Sequence, residues 1–200
     1  MTDSATPWAR ETFGDLAEPL AAAVVKALTR AHERARSGHD GVHTQTLEAY
    51  GHGLHAAQFE ELTAGLEHFA DATPVRLRAR TVMVVADYLI YPFRYASKDD
   101  PVTTARLKKK DGLLAKLIRG FGPEPMQGEL DLGLEDFEEH EVYRGLTQIP
   151  PDTSLAIVAY ACSMTAGIMR LEWGIADLRP DRYLQWHRHE PLSSLGMLHD

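Results

Sequence analysis

The residues best equipped for chemistry are histidines. Four of the ten in the chain, His39, His43, His52 and His55, fall between positions 39 and 55. His52 and His55 are three residues apart, so on a helix they share a face one turn from each other. His39 and His43 flank Asp40-Gly41-Val42 just before. Neutral imidazoles with a carboxylate make a plausible ligand set for a divalent metal, and a ring that titrates near neutrality suits acid–base work. His52 and His55 are the candidate metal ligands, a divalent metal being the cofactor implied. His43, His52 and His55 are the candidate catalytic groups. The commoner occupation of such histidines is helix packing or a solvated surface, and no HExxH pattern sharpens the metal reading.

Three further groups could bind something. The stretch Asp40 to Gln45 links two helical patterns, and loops on a rigid scaffold are where binding groups collect. Its plainer reading is a turn in which Thr44 caps the next helix. Tyr91, Arg94 and Tyr95, beside Pro92, could line a pocket at a sheet edge, with aromatic packing as the alternative. Asp40, His43, Tyr91 and Arg94 are therefore the candidate ligand-binding residues. Arg106, Lys108, Lys109, Lys110, Lys116 and Arg119 concentrate positive charge, and Lys108, Lys109 and Lys110 are the candidate nucleic-acid contacts. Against that stand the carboxylates from Glu129 to Glu141, which could pair with these cations, and a formal charge of -8. A nucleic-acid partner is thus not expected. The one cysteine, Cys162, ends an apolar run with no histidine near it in the chain, and reads as a small core residue.

The elements that position these groups follow from periodicity. Leu16, Leu20, Val24 and Leu28 recur every four residues, predicting a helix from about Asp15 to Arg36, stopped at Ser37-Gly38. Leu47, Tyr50, Leu54, Phe59, Leu62, Leu66 and Phe69 predict a second from about Thr44 to Ala70. Gly51 and Gly53 inside it imply a break, or a close approach by another backbone. Val75 to Tyr95 is rich in β-formers and predicts a hairpin turning at Ala86-Asp87, with Pro92 at an edge or bulge. Leu113 to Ile118 predict a short helix over about Asp111–Arg119, and Glu135 to Thr147 carry a weaker helical pattern. Leu155 to Cys162 is almost unbroken apolar, as in a strand covered on both faces. Ile168 to Ile175 alternate, with Met169, Leu171, Trp173 and Ile175 on the inward row. A third strand follows from Tyr183, with Leu184 and Trp186 on one face.

The expected architecture is a single α+β domain spanning 1–200. A helical part, 1–72, covers a mostly antiparallel five-stranded sheet in 73–200, made of a hairpin, a helical crossover and a three-stranded meander. The lone cysteine fits a reducing compartment. No apolar stretch reaches the length of a membrane span. A cytoplasmic, acidic protein without a membrane partner is the expectation. In function the chain reads as a binding or regulatory module for a protein partner or a small molecule. The alternative is a metal-dependent or histidine acid–base enzyme, hydrolase-like, using the His39–His55 region. The sequence leaves open whether it is an enzyme at all.

Overall fold

The computed structural model describes residues 7–124 and 144–192 of the chain. Three helices lead: α1 (Pro7–Phe13), α2 (Ala17–Val42) and α3 (Glu48–Leu66), with a 3-10 turn at Gly14–Leu16 between the first two. Six strands follow: β1 (Thr73–Leu77), β2 (Arg80–Val85), β3 (Tyr88–Ala96), β4 (Ser154–Ser163), β5 (Gly167–Leu178) and β6 (Leu184–Pro191). A fourth helix, α4 (Leu113–Phe121), lies in the crossover between β3 and β4. The expected pattern over Glu135–Thr147 lies outside the described residues except at its end, where Arg144–Leu146 are helical. No described helix is long and apolar enough to cross a membrane.

The strands form one sheet in the order β1-β2-β3-β4-β5-β6. Every neighbouring pair is antiparallel except β3 and β4, which run parallel. The sheet is therefore six-stranded and mixed where five mostly antiparallel strands were expected. The extra strand comes from a turn at Arg78-Ala79, where Arg78 takes φ +57°. Neither residue is a glycine or asparagine, so alternation over Val75–Leu77 ran on into Thr81–Val85 as if one strand. The second turn is where it was expected, with Ala86 and Asp87 both at positive φ, 47° and 62°.

Helix boundaries differ in both directions: α3 is shorter at each end than the expected Thr44–Ala70, while α2 is longer at its C-terminus. α2 passes straight through Ser37-Gly38 and ends four residues later, with His43 in the left-handed conformation at φ 52°. A glycine in mid-helix costs about 1 kcal/mol against alanine, and packing along the rest of α2 outweighs that. Pro19 sits in the first turn of α2, where the missing N–H has no helical partner to lose. Gly53 marks a close approach: a Cβ there would lie 3.5 Å from the Ala35 Cα of α2. α3 runs unbroken through both glycines, and a neighbouring backbone is found beside Gly53 while Gly51 faces open space.

The sheet separates two cores. On one side α1, α2 and α3 pack onto Met83, Val85, Ile90, Ala156, Val158, Tyr160, Cys162 and Trp173. On the other, α4 and the crossover pack onto Val82, Val84, Leu89, Tyr91, Leu155, Ile157 and Ala159. β4 contributes alternately to both, which is why its sequence is apolar without a break. Trp173, 1% exposed, stacks on Phe13 and meets Trp8 edge-on. Leu171 and Ile175 share its side, but Ile168 takes the place expected for Met169. A register shift opposite Ala161 and Cys162 inserts one residue and moves the phase of β5.

Candidate functional site

The sheet has a fork. β2 and β3 pair only through Met83–Val85 and Tyr88–Ile90, next to their shared turn. Beyond that, the start of β2 pairs with β1 alone and the rest of β3 with β4 alone. Pro92 lies just past the parting and has no N–H to give a ladder, so the separation costs least there. Into the gap comes α3. Phe59 packs edge-on against Tyr91 of β3 at 5.5 Å, and the Arg80 guanidinium of β2 lies 5.1 Å from the Phe59 ring centre. One turn earlier on the same helix face, His55 meets Phe59 edge-on at 5.8 Å.

A cleft of about 630 Å³ opens beside this wedge. Its walls carry His52 and His55 from α3, Arg94 and Tyr95 from the end of β3, and Lys108 from the crossover, with Gln58 and Tyr160 on the floor. It therefore lies at the carboxyl ends of the one parallel pair, β3 and β4, the end at which open α/β sheets bind ligands. Two bulges adjoin it, one between Arg94 and Ala96 and one at Ala161–Cys162. Bulges at such places re-aim side chains.

Each group is held. Arg94 Nε donates to the Cys162 carbonyl at 2.9 Å, and the guanidinium lies over the Tyr50 ring at 5.8 Å. The Lys108 carbonyl accepts from Arg182 at 2.8 Å, which fixes the crossover against the turn before β6. On the floor, Tyr160 donates to Gln58 Oε1 at 2.7 Å, so the Gln58 amide nitrogen faces His55 Nδ1 at 3.3 Å. That nitrogen can only donate, which leaves His55 Nδ1 an acceptor and Nε2 the carrier of the proton. Loss of water around the inner part of the ring, together with Arg80, His52 and Lys108, holds the His55 pKa below the usual histidine value. At neutral pH the ring is neutral. Burial and Glu172 push the Tyr95 phenol up to about 12, so it too stays uncharged, donating to the Asp100 carbonyl at 2.7 Å.

Behind the cleft lies a buried cluster. His32 Nδ1 is 2.9 Å from the Tyr50 hydroxyl, which is 3.3 Å from Cys162 Sγ, and the sulfur is 3.7 Å from the same His32 nitrogen. Sequence spacing put no histidine near Cys162; the fold brings one from α2, across 130 residues. The thiol is fully buried, and the lining of the cleft does not include it. Burial raises the thiol pKa, and burial with Arg36 lowers that of His32, so both stay neutral.

Other expected residues fall elsewhere. Asp40, in the last turn of α2 where a loop was expected, and His43, in the α2–α3 turn, are exposed and line none of the hollows around His55. His39 is buried on α2, its Nδ1 without a hydrogen-bond partner. Tyr91 is 5% exposed and reaches only a second, adjoining hollow. Lys108 lines both hollows, Lys109 only the second, and Lys110 neither. Among the described residues, the one group of three histidines or carboxylates with converging ligand atoms is Glu124, Asp177 and His187. It lies toward the other end of β5 and includes none of the expected ligands. Sequence reasoning missed Arg80, Gln58 and Tyr160. Gln58 and Tyr160 left a faint signal, being polar groups set within the apolar stripe of α3 and the apolar run of β4.

No family model matches the chain, and no curated protein or solved structure does either. The site has to be read from its own chemistry.

Proposed function

We propose that the chain is a binding or regulatory module that holds a small anion, such as a phosphate ester or carboxylate, in the cleft beside His55. The observation that carries this is the charge of the lining. Arg94, Lys108 and two histidines face a space bordered by no aspartate or glutamate among the described residues, in a chain of formal charge -8. Cations lining a cleft whose walls carry no carboxylate attract a ligand of opposite sign, even though Arg94 also serves the Cys162 carbonyl and the Tyr50 ring. The Arg94 fork, already turned by its bond to Cys162, offers its remaining N–H groups in the planar geometry that phosphate and carboxylate accept.

The same lining speaks against the metal reading of His52 and His55. A divalent cation bound there would sit beside Arg94, Lys108 and Arg80 with no carboxylate to offset them. A histidine acid–base enzyme remains the second reading, favoured by one observation: His55 is neutral and its Nδ1 is backed by Gln58, which leaves an Nε2–H to donate to a reacting group.

Calorimetric titration of the full chain with inorganic phosphate and pyrophosphate at low salt tests the first reading. Saturable binding is expected, weakened severalfold by Lys108→Ala, with the uncharged analogue glycerol inert. No heat with any anion, or binding indifferent to Lys108, would remove it. Turnover of p-nitrophenyl phosphate that disappears in His55→Gln would move the balance to the enzyme.

A further inference from the structure

The cleft does not end at its charged wall. His55, Gln58, Arg94, Tyr95 and Lys108 also border a second hollow of about 450 Å³ on the α4 side of the fork. Its remaining lining is of another kind. Phe93 and Leu113, both half-buried, face it together with Leu107, Leu114, Phe59 and Tyr91, while Arg80, Arg106 and Lys109 stand among them. No described carboxylate borders this hollow either. The two spaces therefore share a cationic wall, with a polar floor of Gln58 and Tyr160 on one side and apolar side chains on the other.

We propose that the ligand of this site is a single-chain amphipathic anion. Its head, a phosphate or carboxylate, sits between Arg94, Lys108 and His52, and its apolar tail lies in the second hollow against Phe93 and Leu113. The inference rests on the anion-binding reading of the first cleft and adds the tail. Charge complementarity selects the head. The tail follows from the exposed faces of Phe93 and Leu113, which gain by leaving water only if something apolar covers them. A small inorganic anion would engage the cations of the first cleft and leave the second unused. The pairing of a few placed polar groups with a mainly apolar wall is the usual make-up of small-molecule sites.

The test is a chain-length series on the intact protein: inorganic phosphate, then butyl, hexyl and octyl phosphate, each kept monomeric, with octyl glucoside as the uncharged control. Burying a methylene contributes about 0.8 kcal/mol, so affinity should climb about fourfold per added carbon until the hollow is filled. Lys108→Ala should weaken every phosphate in the series by a similar factor. Leu113→Ala, which removes apolar surface without adding charge and suits a helix, should reduce the gain per added carbon. Should that variant fail to fold, the series on the parent chain still decides. Phosphate binding with no chain-length dependence would overturn the tail and keep the anion. No binding of any phosphate would overturn both. Octyl glucoside binding as well as octyl phosphate, or a single-stranded oligonucleotide displacing the alkyl phosphates at lower concentration than they bind, would also overturn it.

Discussion

At the scale of single residues, His32 and His55 are the two described histidines whose burial has a consequence on the acid side of neutrality. Both have pKa values held below the ordinary histidine value of 6.5, His32 by burial and Arg36 against a smaller opposing pull from Glu33, His55 by burial and then Arg80. In the unfolded chain the same rings take up protons as the pH falls through about 6.5, while in the folded chain they resist until lower pH. The unfolded state then binds more protons, and stability falls with falling pH across the interval between the two values. Above about 6.5 both states are neutral and nothing is lost. Urea midpoints at pH 7.5 and 5.5 should therefore separate, with the lower pH less stable. In His32→Gln, which keeps a polar group near the Tyr50 hydroxyl, the separation should shrink. An unchanged separation would mean that the Tyr50–Cys162 environment does not hold the ring neutral. Burial of Cys162 at 0% exposure belongs to the same cluster: its environment suppresses thiolate chemistry.

At the scale of elements, the turns carry most of the backbone strain. Asp87 sits at φ +62° in the two-residue turn between β2 and β3, exposed, its carbonyl accepting from Ser154 at 2.9 Å. Glycine reaches that conformation without a Cβ clash, so Asp87→Gly should stabilise the fold by about 0.5–1 kcal/mol, read as a raised urea midpoint with an unchanged slope. A lower midpoint would mean the Asp87 side chain makes a local bond worth more than the strain. The same turns explain what the sequence made legible. Long apolar runs such as Leu155–Cys162 and the four-residue spacing of α2 survived intact, because burial on a fixed period is a property of composition. The Arg78-Ala79 turn and the passage of α2 through Gly38 were hidden, because packing partners far along the chain overrode the local preferences. The site divided likewise. His52, His55, Arg94 and Lys108 were each picked out by type, but their meeting depends on the parting of β2 from β3 and on the parallel pairing of β3 with β4. Neither follows from any one segment.

At the scale of the whole molecule, two charge patterns compete for an anion. The chain as a whole carries -8, which repels it, while Arg80, Arg94, Arg106, Lys108 and Lys109 border the joined hollows around His55 and attract it. Distance decides between them. At 0.1 M salt the Debye length is about 10 Å, so carboxylates beyond that range are already screened from a bound ligand, whereas the lining cations lie within it. The local pattern should therefore govern. Phosphate affinity should fall as salt rises from 20 to 200 mM, concentrations chosen to bracket that length, and Lys108→Ala should fall less steeply because one of the screened charges is gone. If the net charge governed instead, screening would relieve repulsion and affinity would rise with salt. That outcome would place the bound anion away from the fork between β2 and β3, whatever its affinity.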